Sequence, residues 1–186
     1  VAKFDIPNYE FQFGTGGNKI LAFTLYSQNT TDRIQRFYNT ILTSTAWQHW
    51  VATYDGSGNP DNIKIYINGV QVGDLSSTTG TYTAMQNTIA PLFIGKAGNT
   101  AANGKIDQVS IFDYTLSASQ VSTLYGDNSA GYFQIGNPMA LTPNPVAFYP
   151  LGDQDVQQTV DSTDWRILNN SLQDYVFDFD GNNDRI

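Results

Sequence analysis

The sequence predicts an all-β sandwich with one short helix, built as a single domain from 186 residues. Most apolar segments alternate with polar residues at the two-residue period of β-strands. Aromatic residues make up 13% of the chain, and most of them are Tyr and Phe, which suit pleated, half-buried surfaces. The pair Asn68-Gly69 lies between two short apolar runs and indicates a tight hairpin turn. The length suffices for one sizeable sandwich and is short for two.

The predicted strands follow one another along the chain, separated by turn residues. Tyr9, Phe11 and Phe13 alternate with polar residues, as expected for a strand with one buried face. Before the Asn-Gly turn, Ile63 and Ile65 alternate with polar or larger side chains in the same way. Clusters of Gly, Asn, Ser and Pro end these runs. The predicted strands cover residues 9–13, 19–27, 47–55, 62–75, 91–95 and 104–114.

One short helix is predicted after the last of these strands. Ser117 is a good N-cap, the segment ASQVSTLY supplies the turns, and Gly126 can end the helix in a left-handed cap. A stretch rich in Gly, Pro and Asn follows at 127–145 and is typical of a long connection. Strand character returns at 146–151 and at 175–186.

Composition excludes several classes of function. The net charge of -8 argues against nucleic-acid binding, because a phosphate-binding surface needs clustered Lys and Arg. The same charge disfavours docking on anionic lipid, and no apolar run is long enough to be inserted across a bilayer. Without cysteine the chain forms neither disulfides nor thiolate metal sites. A single histidine, His49, rules out zinc sites built from several histidines.

Several motifs in the segment 47–126 resemble the laminin-G-like family. They are WQHWVATYDG, IKIYINGVQVG, PLFIG and GKIDQVSIFDYTLSASQVSTLYG. Members of that family carry a W-x-H-V-A-x-T-x-D-G strand, a K-x-Y-[VI]-[ND]-G hairpin and a G-x-I-D-x-V strand that runs into a short helix. The resemblance is specific because the motifs occur in the right order. It implies a concanavalin A-like jelly-roll β-sandwich.

The C-terminal segments resemble the opening of such a module, which in the family precedes the tryptophan strand. They read VAFYPLGD, DSTDWRILNNS and YVFDFDGNNDRI, so the strand order is rotated relative to the family. Either these strands complete the sandwich of their own chain, or the chain is a segment of a tandem array. We favour completion, because a closed sheet has no exposed edge, and we expect residues 175–185 to pair beside the strand 104–114. One domain, 1–186, would then comprise the main strands and helix (1–126), a connection (127–145) and the completing strands (146–186).

The resemblance implies a non-catalytic recognition module at an extracellular or virion surface, with a glycan or a surface protein as its partner. A second hypothesis is a structural repeat that contacts neighbouring repeats in a virion or cell-surface assembly. Glycoside hydrolysis is the third, and it normally needs two carboxylates. The only glutamate, Glu10, has no acidic neighbour two or four residues on, and Asp178 and Asp180 fit a structural or metal role better.

Calcium is the cofactor that the C-terminal strand favours. Hard cations bind oxygen ligands from Asp, Asn and backbone carbonyls, and the segment DFDGNND supplies Asp180, Asn183 and Asp184 around a glycine. Asp107 occupies the family's G-x-I-D position, close to where this strand is expected to pair. The alternative is that Asp, Asn and Gly only form a turn there.

The tryptophans divide into two groups. Trp47 and His49 share one face of their strand, and Gln48 and Trp50 share the other. The resemblance implies that the first face points into the sandwich, so we expect Trp47 to be buried and His49 to be hydrogen-bonded. Trp165 lies in a polar loop, where an exposed aromatic ring could bind a sugar or a protein partner. The alternative for Trp165 is packing of its loop onto the sandwich.

Overall fold

A computed structural model describes residues 1–28, 31–126, 136–151 and 177–180. Strands β1 to β5 are Ala2–Asp5, Asn8–Thr15, Ile20–Gln28, Asp32–Ile41 and Trp50–Thr53. Strands β6 to β10 are Lys64–Ile67, Val70–Gln71, Leu75–Thr79, Leu92–Phe93 and Lys96–Ala97. Strands β11 to β15 are Thr100–Ala101, Asn103–Ile106, Val109–Ile111, Ala147–Tyr149 and Phe177–Asp180. Helix α1 is Ala118–Tyr125, and two short 3-10 helices are Pro60–Asn62 and Pro138–Ala140.

The larger layer is an antiparallel sheet of six strands in the order β8-β4-β3-β2-β1-β9. Phe11, one of the alternating aromatic residues of β2, lies opposite Leu25 of β3. Leu25 and Ile34 are buried and pack with Ile63, which precedes β6. One face of the six-stranded sheet therefore packs on the segment that carries β6, as the two layers of a sandwich do.

The facing sheet, β5-β6-β7, is covered on both of its sides. Asn68 and Gly69 have φ values of 52° and 76°, so the predicted hairpin turn is confirmed. Ile63 contacts the six-stranded sheet, whereas Tyr66 points the other way and packs with Val121 and Leu124 of α1. Helix α1 thus shields the side of this small sheet that the larger sheet does not reach.

Helix α1 begins and ends at the residues that the sequence predicts. The Ser117 side chain accepts a hydrogen bond from the Gln120 backbone, and the Gln120 side chain accepts one from the Ser117 backbone, which forms a capping box. Gly126 ends the helix at the predicted residue, but its φ of 83° and ψ of -171° do not form the predicted left-handed cap. Among the described residues, none of the helices has the length and apolar character that crossing a membrane requires.

The C-terminal strands pair with strands from the middle of the chain. β14 lies antiparallel to β13, with Phe148 opposite Ser110. β15 lies antiparallel to β12, with Phe177 opposite Ile106 and Asp180 opposite Asn103. The predicted pairing of the C-terminal strand beside 104–114 is therefore confirmed for 177–180. The single-domain boundaries stay a prediction.

Trp47 is not buried, so the prediction that it fills the sandwich interior is wrong. Its side chain is 49% exposed, and the strand that was expected to contain it begins only at Trp50. The reason is that one face of β5 packs against helix α1 and not against the six-stranded sheet. Val51 packs towards Tyr66 and α1, so the Trp47 and His49 side of the segment belongs to the helix face and not to the interior.

Candidate functional site

An open cleft of about 260 Å³ lies between the end of β4 and the sheet β5-β6-β7. Its wall combines apolar side chains with hydroxyl and amide groups. The lining residues are Tyr38, Thr40, Ile41, Leu42, Thr43, Ser44, Gln48, Ile67 and Val72. We call it the tryptophan cleft, because it adjoins Trp50.

Trp50 reaches this cleft through the register of β5. It lies directly opposite Ile67 in β6, and directly opposed residues point to the same side of a sheet. Ile67 lines the cleft, so the Trp50 indole projects on the cleft side, with 37% of the residue exposed. Its Nε1 donates a hydrogen bond of 3.2 Å to Oε1 of Gln48, another lining residue. This bond leaves the Nε2 amide group of Gln48 to donate to a ligand.

The segment that carries Trp50 is fixed to the Asn-Gly turn. Asn68 accepts a hydrogen bond from the His49 backbone N–H through its side chain and donates one to the His49 carbonyl, both at 2.8 Å. The His49 ring stacks on Tyr125 at the end of α1, with ring centroids 6.0 Å apart. A Cβ at Gly69 would lie 3.1 Å from the Tyr125 ring, so the turn packs closely on the same side chain. These contacts hold the segment that carries Trp50 against the Asn-Gly turn and helix α1.

The environment of His49 departs from the expected hydrogen-bonded side chain. Its Nδ1 atom is buried and has no hydrogen-bond partner, although its backbone is bonded on both sides. Burial disfavours the charged imidazolium and lowers the pKa of His49 below its ordinary value of 6.5. The histidine therefore serves as a neutral packing element under Tyr125.

We expect the domain to lose stability as the pH falls below about 6.5. The pKa of His49 is lower in the folded chain than in the unfolded chain, so the unfolded chain binds more protons in this range. The contribution of neutral His49 to the free energy of unfolding is fully present above about pH 6.5. It is lost as the pH falls towards the pKa that His49 has in the folded chain. Urea unfolding at a series of pH values measures it.

His49→Phe is the control, because it keeps an aromatic ring against Tyr125 without a titrating group. In the 186-residue chain the α-amino group of Val1 titrates in the same pH range, since burial lowers its pKa to about 6. The difference between the two pH profiles isolates His49. Parallel profiles for wild type and His49→Phe would contradict the assignment.

Glu10 is a structural carboxylate. It is 3% exposed, and its Oε1 accepts hydrogen bonds from Lys3 Nζ at 2.7 Å, from Thr88 Oγ1 at 2.8 Å and from the Thr88 backbone N–H. Lys3 also donates to the Thr88 carbonyl at 3.1 Å. These bonds attach the loop that precedes β9 to the edge of the six-stranded sheet.

The structure separates two of the predicted calcium ligands. Asp180 lies opposite Asn103, whereas Asp107 follows Ile106 beyond the other end of the β12-β15 ladder. Asp107 lies beyond the end of β12, four residues after Asn103, so the ladder does not place it opposite Asp180. Asp107 Oδ1 accepts a hydrogen bond from the Gln108 backbone at 2.9 Å.

The other predicted site residues, Asn183, Asp184 and Trp165, lie outside the described residues. Within the part of the chain that the structure describes, no three acidic or histidine residues come together as a metal site requires. Calcium and the ligand role of Trp165 both stay predictions. The tryptophan cleft was not predicted from the sequence. The alternation of residues 47–50 did place Gln48 and Trp50 on a common face of the segment. This pattern is the part of the cleft that could be found from the sequence.

The fold agrees with a comparison of the chain with known families. The family model of the concanavalin A-like lectin/glucanases superfamily, of the laminin G type, matches residues 2–122, from β1 into α1. No curated protein and no solved structure shows significant similarity to the chain. Strands β14 and β15 lie beyond the matched residues. The match spans well over half of the sequence and agrees with the antiparallel strand pairing and single α-helix of the described residues. The chain therefore belongs to the concanavalin A-like lectin/glucanase superfamily.

Proposed function

We propose that this chain is a non-catalytic carbohydrate-recognition module that binds a saccharide in the tryptophan cleft. The observation that carries the proposal is Trp50, a residue that is 37% exposed beside a cleft of mixed polar and apolar lining. Binding sites usually combine an apolar or aromatic wall with a few polar groups that fix orientation. A surface location, extracellular or on a virion, follows from this role and is part of the proposal.

The chemistry of the cleft fits a sugar ring. A pyranose ring has apolar faces of C–H groups and a rim of hydroxyls. An indole offers a large, rigid apolar surface to such a face. Tyr38, Thr40 and Gln48 carry groups that can hydrogen-bond to the rim, while Ile67 and Val72 supply apolar contact. An exposed tryptophan that is already oriented by Gln48 loses little conformational entropy on binding.

Two features of the described residues support binding without hydrolysis. Glycosidases on most folds cleave the bond with a pair of carboxylates. The residues that line the tryptophan cleft include neither Asp nor Glu. Glu10, the only glutamate of the sequence, is buried and occupied by Lys3 and Thr88. Asp178 lies opposite Lys105 in the β12-β15 ladder, and neither residue is among those that line the cleft.

Isothermal titration with soluble glycans tests the proposal. We expect saccharide binding that Trp50→Ala weakens at least about tenfold, because it removes the stacking surface. Gln48→Ala should also weaken binding, and it leaves the β5 backbone untouched. Trp47→Ala is the matched control, since Trp47 is 49% exposed and does not line the cleft, and it should bind within about twofold of wild type.

Three outcomes would contradict the proposal. Loss of binding in Trp165→Ala, with full binding in Trp50→Ala, would place the ligand at the loop predicted from the sequence. Reducing ends released from β-glucan, and abolished by Glu10→Gln or Asp178→Asn, would show a hydrolase. Absence of binding to any glycan would show that the chain is not a carbohydrate-recognition module. If the cleft then bound a surface protein, the chain would be a protein-binding module instead.

Assembly with neighbouring copies is the second candidate function, and one observation favours it. Strand β8 is at the edge of the six-stranded sheet among the described strands, and most of its residues are exposed. Its sequence, LSSTT, has none of the Lys or Pro residues that usually protect an edge strand from pairing. Self-association of the chain together with absence of glycan binding would favour this role.

A further inference from the structure

Among the residues that the structure describes, the nine that line the tryptophan cleft are all neutral. Five of them carry a hydroxyl or an amide group. A carboxylate or sulfate that leaves water needs a cation or several hydrogen-bond donors to compensate its lost hydration. The lining offers neutral donors and no cation, so an anionic group of a ligand would be poorly compensated there.

Charged residues of both signs contact the segments that line the cleft. The Lys19 carbonyl accepts a hydrogen bond from the Leu42 backbone at 3.0 Å, which brings one basic residue to the rim. The Asp74 carboxylate accepts a hydrogen bond of 2.8 Å from the backbone of Asn39, which lies between two lining residues. Arg36 Nε donates to the Gly73 carbonyl at 2.7 Å, next to the lining residue Val72. Arg36 also forms an ion pair with Asp61 at 3.0 Å. With charges of both signs around it and a net charge of -8 over the whole chain, the cleft has no field that attracts anions.

The size of the cleft limits how much of a glycan it holds. Sites that enclose drug-sized ligands have volumes of roughly 300–1,000 Å³. At about 260 Å³ the tryptophan cleft is smaller than these and open to solvent, so it holds one or two sugar rings. Further rings of a longer glycan would extend into solvent and contribute little to affinity.

From the neutral lining and the small volume, we infer that the tryptophan cleft selects a neutral saccharide and binds it through one or two rings. This inference rests on the proposed carbohydrate-binding function and adds the ligand class. It separates neutral hexose glycans from uronic-acid and sulfated glycans. The selection follows from desolvation and not from a steric block.

The experiment titrates the 186-residue chain with two matched panels of oligosaccharides. The neutral panel contains disaccharides and hexasaccharides of β-1,4-linked glucose, mannose and galactose. The anionic panel contains the corresponding oligomers of galacturonic acid and a sulfated heparin hexasaccharide. Each titration is run at about 0.05 M and about 0.5 M NaCl, because salt screens ionic contacts and leaves neutral ones almost unchanged.

We expect at least one neutral sugar to bind with an affinity that changes less than about twofold with salt and at least about tenfold more tightly than any anionic oligomer. Its disaccharide and hexasaccharide should bind within about threefold of each other, since the cleft holds no more than two rings. Trp50→Ala and Gln48→Ala should both weaken the neutral sugar, and Trp47→Ala should not.

Failure of the inference and failure of the proposed function give different results. An anionic oligomer that binds more tightly, loses affinity in high salt and depends on Trp50 would overturn the neutral selection and leave the glycan-binding function intact. Affinity that rises steeply from disaccharide to hexasaccharide would overturn the two-ring limit in the same way. Absence of binding to both panels would overturn the proposed function itself.

Discussion

Ile65→Ala should lower the free energy of unfolding by about 3–4 kcal/mol, near the upper part of the range for buried isoleucine. Ile65 is fully buried in β6 and lies opposite Ala52. A Cβ at Gly73 would sit 3.3 Å from the Cβ of Ile65 and 3.4 Å from Cγ of Arg36, so the packing around this side chain is close. Its removal would leave a cavity between the two sheets.

The cavity at Ile65 cannot close easily, because its neighbours are held by backbone hydrogen bonds. The Val72 N–H donates to the Ile65 carbonyl at 2.7 Å, and Arg36 Nε donates to the Gly73 carbonyl at 2.7 Å. A site that does not collapse loses dispersion contacts as well as transfer free energy. Urea denaturation with an unchanged m-value measures the loss.

Two further variants make the core assignment testable. Ile65→Val should cost only about 0.5–1.5 kcal/mol, since it removes one methylene group. Trp47→Ala should cost less than about 1 kcal/mol despite deleting a larger side chain, because Trp47 is 49% exposed. A larger loss for Trp47→Ala than for Ile65→Ala would restore the interior position that the sequence suggested for the tryptophan.

Local features of the fold could be predicted from the sequence because their causes are local. The Asn68-Gly69 turn depends on two residues that tolerate positive φ, and the cap of α1 depends on Ser117 and Gln120 within one helical turn. The pairing of β15 beside β12 was predicted from an apolar segment without another partner, together with the family resemblance. These elements carry their own signals.

The position of the tryptophans could not be predicted in the same way. Alternation shows that Trp47 and Trp50 lie on different faces of a segment, and it does not show what covers each face. Helix α1 packs Val121 and Leu124 against Tyr66 and so supplies a second buried layer. With both faces of the small sheet partly covered, hydropathy alone does not identify the interior. The tryptophan cleft is lined by residues of β4 and β6, which are far apart in the sequence. No short segment therefore predicts it.

Removal of the C-terminal strand should destabilise the sandwich strongly. β15 forms four residue pairs with β12, from Asn103 opposite Asp180 to Ile106 opposite Phe177. Four residue pairs of an antiparallel ladder share about four backbone hydrogen bonds. At about 0.5–1.5 kcal/mol for each bond, loss of this ladder costs about 2–6 kcal/mol before any side-chain contribution. It also leaves β12 without the only partner that it has among the described strands. An unpaired edge of this kind promotes aggregation.

Two truncations isolate the effect of β15. A chain that ends at Asn170 lacks the strand, whereas a chain that ends at Asp180 keeps it and loses only the last six residues of the sequence. We expect the first chain to melt several degrees lower than the second, since about 1 kcal/mol shifts the melting temperature by about 2–4 °C at this size, and to aggregate on heating. Equal melting temperatures would show that β15 contributes nothing to the sandwich. If the full chain were instead a concentration-dependent dimer and the chain ending at Asn170 a stable monomer, β15 would pair with β12 of a second molecule. That result would support strand exchange between copies, and with it the assembly role.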